Sequence, residues 1–213
     1  MTDTFDTLVP DARRFLGDLS ASNNREWFTA NKSYYEADLK APALAFLDVV
    51  GARLEKMTGA PVETKLFRPH RDVRFSKDKT PYHTHLHMLW SQGGLNWFFG
   101  VAPDYISVGA GVFGFDKDAL VRWREAADSN GGAIAAMIAT LTDNGARLGE
   151  PELKRVPAPF DKDHPHGALL RRKGLTLWFD TDEAALKKGG LTAWVETAFS
   201  ELLPVQTALR SLL

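Results

Sequence analysis

The sequence predicts an α+β fold, in which an antiparallel meander sheet carries helices packed mainly on one face. Two features indicate this class. Apolar residues recur with a period of about 3.6 up to residue 60, alternate with a period of about 2 over residues 63–112, and then return to helical spacing. The turns between the strand candidates are also too short for parallel crossovers, which need about a dozen residues or more. Helices, strands and helices in that order favour a single α+β domain over residues 1–213.

The first part of the chain is predicted to be helical. Apolar residues at helical spacing over residues 8–19 predict a first helix. Two capping boxes, each a polar residue followed by Glu at the third position beyond it, predict the starts of a short and a longer helix. The boxes are Asn23–x–x–Glu26 and Ser33–x–x–Glu36. Pro42 is expected to kink or restart the longer helix, and Gly59 to end it.

Strand candidates occupy the middle of the chain and one later segment. Each is marked by alternating apolar and polar residues and bounded by turn signals rich in Gly, Pro and Asp. The candidates span residues 64–69, 71–76, 84–91, 95–102, 104–112 and 175–179. Helical spacing returns over residues 117–127, 132–144, 182–188 and 192–212. Pro204 is expected to interrupt the last of these helices.

Composition excludes several classes of protein. The 213 residues carry a net charge of −1 and contain no cysteine, which excludes a disulfide scaffold, a thiolate metal site and a cysteine nucleophile. No apolar run approaches the roughly 18 residues of a membrane span, and the polar start MTDTFDT does not resemble a secretory signal. We therefore expect a cytoplasmic protein with no membrane partner. No P-loop, nucleophile elbow or HExxH motif occurs, and the sequence requires no cofactor.

Positive charge is concentrated in one segment. Residues 65–83 carry a net charge of +4, whereas the rest of the chain carries −5. A cationic segment on an otherwise acidic chain creates a local field, which usually serves a site. The cations are Lys65, Arg68, Arg71, Arg74, Lys77 and Lys79, and the acids are Asp72 and Asp78.

Strand geometry would turn part of this segment into a binding surface. In a strand over residues 71–76, Val73 and Phe75 would face the core and the alternate residues would face the opposite side. Guanidinium groups there match the oxygens of phosphate or carboxylate. The leading hypothesis is a site for an anionic, phosphorylated small ligand, with Asp72 as a candidate catalytic base. The ligand-binding candidates are Arg68, Arg71, Asp72, Arg74, Ser76, Lys77, Lys79 and Tyr82.

A second interpretation of the same charges requires no ligand. The charged side chains would then neutralise one another in a lattice of surface ion pairs, which contribute little energy. Because the cations outnumber the local acids, such a lattice needs carboxylates from elsewhere in the chain. The sequence leaves both interpretations open, and it leaves open whether a bound ligand undergoes a reaction.

The segment Arg68–Tyr82 resembles the signature RxxRDxRFSKDKxPY of a bacterial and fungal family of conserved hypothetical proteins, a domain of unknown function. Other motifs that look like the family's are Asn23-Asn24-Arg25-Glu26-Trp27-Phe28, Asn31-Lys32, Pro42, Gly109-x-Gly111 and Leu120-x-Arg122. The resemblance implies a shared fold and site but no activity, and it adds Arg122 to the ligand-binding candidates. A lysine is expected where this chain has His83.

Histidines follow the basic segment at three alternate positions, His83, His85 and His87. In a strand their imidazoles lie on one face, roughly 7 Å apart in successive steps. Two could chelate one metal ion, and the third with a carboxylate could complete a zinc or iron site. Polar residues on a half-exposed strand are the simpler interpretation. We therefore expect no metal, and these residues are the candidates if one is bound.

Glycine and aromatic patterns also bear on function. The run Gly109-Ala-Gly111-Val-Phe-Gly114 matches GxGxxG, but the strands before it are predicted to be antiparallel and no acidic residue follows at the required spacing. We therefore reject a dinucleotide site and expect a bulge or a close backbone approach, to which a ligand could contribute. Strand aromatics such as Phe98 and Tyr105 could stack on the bases of a single-stranded nucleic acid.

Three functions remain open. A site for a small phosphorylated ligand requires a concave, partly buried arginine cluster. A non-catalytic module that docks an acidic protein or a single-stranded nucleic acid requires a flat, exposed cluster with aromatic residues, and the acidic remainder of the chain disfavours nucleic acid. A histidine-based metalloenzyme is the third. The sequence does not predict the oligomeric state.

Overall fold

The computed structural model of the protein describes residues 3–213 and shows an α+β fold with a six-stranded antiparallel sheet, as predicted. A π-helical segment, Tyr35–Lys40, joins the third and fourth helices. The helices are α1 (Leu8–Ala21), α2 (Arg25–Ala30), α3 (Lys32–Tyr34), α4 (Ala41–Thr58), α5 (Lys117–Asp143), α6 (Gly167–Leu170), α7 (Glu183–Gly189) and α8 (Leu191–Arg210). The strands are β1 (Glu63–Leu66), β2 (Leu86–Gln92), β3 (Leu95–Val101), β4 (Ile106–Val112), β5 (Arg147–Leu148) and β6 (Leu175–Asp180).

Strand order in the sheet is β1-β2-β3-β4-β6-β5. The first four strands are neighbours in chain order, which is the predicted meander. In the antiparallel pair β1–β2, Leu66 lies opposite Met88. β6 follows β4 in the sheet, and the two-residue β5, which the sequence pattern did not predict, pairs antiparallel with β6.

Neither of the two predicted helix caps is found at its predicted residue. The cap of α2 lies one residue further along the chain, and the second predicted cap is absent. Asn24, not Asn23, caps α2, because its side chain accepts a hydrogen bond from Trp27 N at 2.9 Å. Ser33 caps nothing, since it lies inside α3. Pro42 lies at the start of α4, directly after the π-helical segment, so the helix restarts there as predicted.

The predicted strand over residues 71–76 is wrong. These residues form bends and irregular backbone, because side chains close local turns that compete with strand pairing. Asp72 Oδ1 accepts from Arg74 N at 3.2 Å, and Asp78 Oδ1 accepts from Thr80 N at 2.9 Å. Carboxylates that bond the backbone two residues further on are typical of Asx turns.

Two of the later helices differ from their predicted bounds. The helices expected over residues 117–127 and 132–144 form the two arms of α5, which meet at the non-helical backbone of Asn130. Pro204 does not interrupt the last helix, since α8 continues through it to Arg210. No helix among residues 3–213 is both long and apolar enough to cross a membrane.

Two compact units make up the described chain. Unit 1 comprises the described residues up to Gln92, Phe98–Val108 and Asp180–Thr197, and unit 2 comprises Gly93–Trp97, Gly109–Phe179 and Ala198–Leu213. A single domain over the whole chain therefore stays a prediction.

The core of unit 1 lies between α4 and the first strands. Trp90 is fully buried and its indole N–H donates to Leu47 O at 2.9 Å. Phe46 packs edge-on against Phe99, with ring centroids 5.6 Å apart. Burying such aromatic rings removes a large apolar area from water, which is the main source of stability for this packing.

Unit 2 has its own aromatic core. The indole N–H of buried Trp123 donates to Leu169 O at 3.1 Å. The strand glycines lie here as well: a Cβ at Gly109 would overlap the ring of Trp178, and a Cβ at Gly111, where φ is +142°, would overlap Leu175 O. The close approach predicted at these glycines is made by the chain itself.

Candidate functional site

The segment with the highest density of cations, residues 68–81, is a loop that we call the basic loop. Two backbone hydrogen bonds close its base: Arg71 N donates to Pro81 O at 2.9 Å, and His83 N donates to Pro69 O at 2.7 Å. The charged residues between them are therefore carried on a loop with a fixed base rather than on a sheet strand.

Tyr82 anchors the end of the basic loop. Asn23 Nδ2 donates to Tyr82 O at 2.9 Å, and Tyr82 N donates to Asn23 Oδ1 at 3.1 Å. The phenol ring stacks on Phe28 with centroids 4.1 Å apart and is only 5% exposed. Tyr82, a candidate ligand residue in the sequence, thus lies in the anchor. Asn23 was missed in this role because its partner is distant in the chain.

Arg71 holds the two arms of the loop together. Its Nη1 donates to Asp78 Oδ2 at 2.5 Å, to Thr80 O at 3.1 Å and to Thr80 Oγ1. The Thr80 backbone N–H, followed by the Arg71 guanidinium, lowers the pKa of Asp78 to about 2. Arg71 therefore forms an ion pair inside the loop, as the lattice interpretation predicts, and does so through Nη1.

Asp72 and Arg74 form the second internal pair. Arg74 Nε donates to both carboxylate oxygens, at 2.9 and 3.2 Å, and Nη2 donates to Oδ2 at 2.6 Å. The Arg74 guanidinium lowers the pKa of Asp72, a fully solvated carboxylate. A general base works best with a pKa near the working pH. The geometry therefore gives Asp72 an ion-pairing role and no support as a catalytic base.

Other cations of the loop have no carboxylate partner among residues 3–213. Arg68 and Lys77 are exposed and free of ion pairs, and Lys79 Nζ donates to Val73 O at 2.9 Å. Ser76, half-buried, contributes its backbone N–H to a turn with Val73 O at 3.3 Å. The basic loop is therefore partly neutralised and keeps an excess of positive charge.

Phe75 does not face the core, although the predicted strand over residues 71–76 required this orientation. Its side chain is 95% exposed, far more than the other large exposed hydrophobics in the described chain, which reach 50%. The Arg74 guanidinium lies 5.9 Å from its ring centroid. Because residues 71–76 do not pair with a strand, nothing turns Phe75 towards the core.

The three histidines after the loop lie closer together than the roughly 7 Å spacing predicted for a strand, because only His87 belongs to β2. Ring centroids are 4.7 Å apart for His83 and His85 and 3.6 Å apart for His85 and His87. Burial lowers the pKa of His85 to about 4 and that of His87 to about 3. Burial also lowers the pKa of His83, with help from the nearby charges of Arg71 and Arg68. These histidines are neutral near pH 7.

Stacked imidazoles do not converge on one point. The His85 and His87 rings are stacked at 14° and the His83 ring is tilted by 33° to His85, unlike the tetrahedral ligands of a zinc site. Over residues 3–213 no group of three or more His, Asp or Glu side chains is placed to hold a metal ion. The geometry therefore carries no metal-site proposal at these residues.

Aromatic rings surround His87. The rings of Phe67 and Phe98 lie 6.2 and 4.8 Å from its centroid, and Tyr105 Oη lies 2.5 Å from its Nε2. Burial raises the pKa of Tyr105 to about 12, so the phenol stays protonated and donates to the neutral imidazole. Lys65 Nζ lies 4.7 Å above the Phe67 ring. We call the three histidines with Phe67, Phe98 and Tyr105 the histidine cluster.

The histidine cluster occupies one face of the first strands. His87 is half-buried, whereas its neighbours Leu86 and Met88 point to the opposite face and are buried in the core. Phe67 N donates to His87 O at 3.0 Å, which continues the β1–β2 ladder. The sequence pattern did not single out Phe67, because its place beside His87 depends on the pairing of β1 with β2.

Arg122 has a different role from the one expected. It belongs to unit 2, where its Nε donates to Leu212 O at 2.6 Å and its Nη2 to Leu213 O at 3.1 Å. This guanidinium is used to hold the last residues of the chain. The basic loop, by contrast, belongs to unit 1.

A family model described as conserved hypothetical protein (DUF2461) matches residues 11–207. The chain belongs to this family. The matched region includes the basic loop and the histidine cluster, and it confirms the resemblance seen in the sequence. No curated protein and no solved structure matches the chain.

Proposed function

We propose that this protein is a non-catalytic binding module that docks a single-stranded nucleic acid on the basic loop and the adjoining histidine cluster. The observation that carries the proposal is Phe75, which stands almost fully exposed on a loop whose base is fixed. An exposed aromatic ring among cations is the arrangement on which unpaired bases stack while phosphates bind alongside.

Electrostatics supports a polyanion. Arg71 and Arg74 are neutralised by Asp78 and Asp72, which leaves the other cations of the segment without carboxylate partners in the described chain. Those cations are Lys65, Arg68, Lys77 and Lys79. Each can neutralise one phosphate and release a counterion, so the affinity should depend steeply on salt. This excess of positive charge is concentrated at the proposed site, so a bound strand meets cations there although the rest of the chain is acidic.

The aromatic side chains favour a single strand over a duplex. Phe75 with Arg74 beside it, and Phe67 with Lys65 above it, each join a π-face to a cation. Stacking of one base on such a ring contributes about 1–3 kcal/mol and requires bases that are not paired. The bases of a duplex are already stacked on one another, so Phe75 gains no stacked base there without the cost of unstacking them.

A small phosphorylated ligand fits this site less well. The two arginines best placed to hold a phosphate, Arg71 and Arg74, already bond carboxylates. The remaining cations are spread along the segment beside the exposed ring of Phe75, which a small phosphate would leave unused. Asp72 offers no poised base, so binding without chemistry is the function that the geometry supports.

Fluorescence anisotropy with a labelled single strand of about 12 nucleotides tests the proposal, since this length exceeds the smallest known sites on such surfaces. Replacing Phe75→Ala should weaken binding roughly tenfold, as loss of one stacked base predicts. The Arg68→Gln/Lys77→Gln double variant should lower the slope of log affinity against log salt by about 1.4.

The matched control is Lys56→Gln/Lys188→Gln, which removes two exposed cations outside the site. It should leave both the affinity and the salt slope unchanged. Equal losses in control and test variants, tighter binding to a duplex of the same length, or preference for an acidic peptide over the single strand would each overturn the proposal.

A further inference from the structure

Unit 2 contains a cavity of about 460 Å³ that none of the sequence motifs marks. It lies between the irregular segment before α6 and α6 itself. Its volume falls within the range of small-molecule sites, roughly 300–1,000 Å³, and it is a depression open to solvent. The charged side chains that line it are all cations: Lys154, Arg155, Lys162 and Arg171.

The walls of the cavity are held in place by local bonds. Leu153 N donates to Arg171 O at 3.0 Å, which ties the segment carrying Lys154 to the end of α6. At Gly167, a Cβ would lie 3.0 Å from Val156 Cγ2, so the chain segments are in close contact there. The backbone around the cavity is therefore held in place before a ligand binds, and the ordering cost falls mainly on those cation side chains that are exposed.

His164 forms part of a wall and is not a free ligand group. Its Nδ1 accepts from His166 N at 3.0 Å, and its Nε2 lies 2.9 Å from Asp128 Oδ1, to which it donates. Both ring nitrogens are thus used. His164 consequently has a structural role, and recognition is left to the cations.

Most cations of the cavity have no carboxylate partner among the described residues. Lys154, Arg155 and the terminal nitrogens of Arg171 have no ion-pair partner among the described residues, and Lys162 meets only Asp163 at a loose 3.7 Å. No carboxylate lines the cavity. Concentrated positive charge without internal neutralisation favours an anion of matching charge.

We propose that this cavity binds an oligophosphate group, either free or as part of a phosphorylated small molecule. Arg155 and Arg171 offer planar donors that match phosphate oxygens in pairs, and the two lysines add mobile point charges. Four cations match the charge of a diphosphate or triphosphate better than that of a single phosphate. The proposal is independent of nucleic-acid docking on unit 1.

Isothermal titration of the full chain with inorganic pyrophosphate and tripolyphosphate tests this site. We expect one equivalent to bind, tripolyphosphate more tightly than inorganic phosphate. Arg171→Gln and Lys154→Gln/Arg155→Gln should each weaken binding at least tenfold, as loss of charge-assisted hydrogen bonds predicts. The double variant changes only exposed side chains, so its folding is not in question.

Lys173→Gln is the matched control, because Lys173 is exposed, lies next to the cavity residues in sequence and does not line the cavity. Its affinity for tripolyphosphate should equal that of the natural chain. If a nucleoside triphosphate binds tenfold more tightly than tripolyphosphate, the ligand of this site is a nucleotide. If the two bind with equal affinity, the ligand is a free oligophosphate. No binding to the natural chain, or equal weakening in Lys173→Gln, would overturn the proposal.

Discussion

Mild acid should destabilise this protein through its histidine cluster. His85 and His87 have pKa values of about 4 and about 3 in the folded chain, below the ordinary value of 6.5. Above pH 6.5 the imidazoles are neutral in both folded and unfolded chains, and they contribute no pH dependence. Between pH 6.5 and about 4 the unfolded chain binds protons that the folded chain does not, so stability falls as the pH falls.

The size of the effect follows from the same pKa values. For fully buried groups, the difference between folded and unfolded pKa would amount to about 3 kcal/mol for His85 and about 5 kcal/mol for His87. Both rings are only half-buried, and the charge of one raises the cost of charging the other. Because solvent screens part of the effect, we expect a combined loss of about 2 kcal/mol between pH 7 and pH 4.5.

Urea unfolding followed by fluorescence of the buried Trp90 and Trp97 measures this loss. The lower limit of pH 4.5 keeps most carboxylates ionised. The His85→Gln/His87→Gln variant should start less stable at pH 7, because His87 loses its bond with Tyr105, but should show a flatter pH dependence. His70→Gln, a control histidine outside the cluster whose ring packs near Phe28 and Tyr82, should leave the pH dependence of stability as it is in the natural chain. Parallel losses in the natural chain and the double variant would refute the reasoning.

Three further predictions concern the anchor, the loop and a strand glycine. Asn23→Ala, which removes both hydrogen bonds to Tyr82, should lower the free energy of unfolding in urea by about 2 kcal/mol. A loss no greater than about 0.5 kcal/mol would show that this anchor carries no stability. Arg71→Gln should open the basic loop and speed tryptic cleavage after Arg74, with an unchanged melting temperature. An unchanged cleavage rate would show that Arg71 does not hold the two arms of the loop together. Gly111→Ala should prevent folding or cost more than about 3 kcal/mol, since its Cβ would meet Leu175 O at a positive φ, and a stable variant by circular dichroism would contradict the packing described.

The fold class could be predicted because hydrophobic period is a property of the sequence itself. The change from helical to alternating spacing located the first strands to within about three residues. The strand over residues 71–76 was wrong because alternation alone cannot show whether a segment finds a partner. Asp72 and Asp78 bond the backbone two residues further on, and these local turns replace strand pairing.

The sequence predicted that positive charge is concentrated in the segment of the basic loop, but it did not predict which charged side chains pair with each other. The sequence shows six cations and two acids, but not that Arg71 pairs with Asp78 and Arg74 with Asp72. The bond between Asn23 and Tyr82 joins distant parts of the chain, and it turns a candidate ligand residue into an anchor.

The cavity of unit 2 could not be predicted from the sequence for a related reason. Its cations are separated in sequence, from Lys154 to Arg171, and acidic residues lie between them. Only folding removes those acids from the cavity lining and brings the cations to one site.

Photocrosslinking of a single strand that contains bromouracil, followed by mapping of the crosslinked peptides, tests the central claim most directly. Excited bromouracil reacts with aromatic side chains in contact with the base. The account predicts crosslinks at Phe75 and within the histidine cluster, lost in Phe75→Ala and suppressed by high salt. Crosslinks confined to residues 154–171, or none at all at low salt, would contradict it.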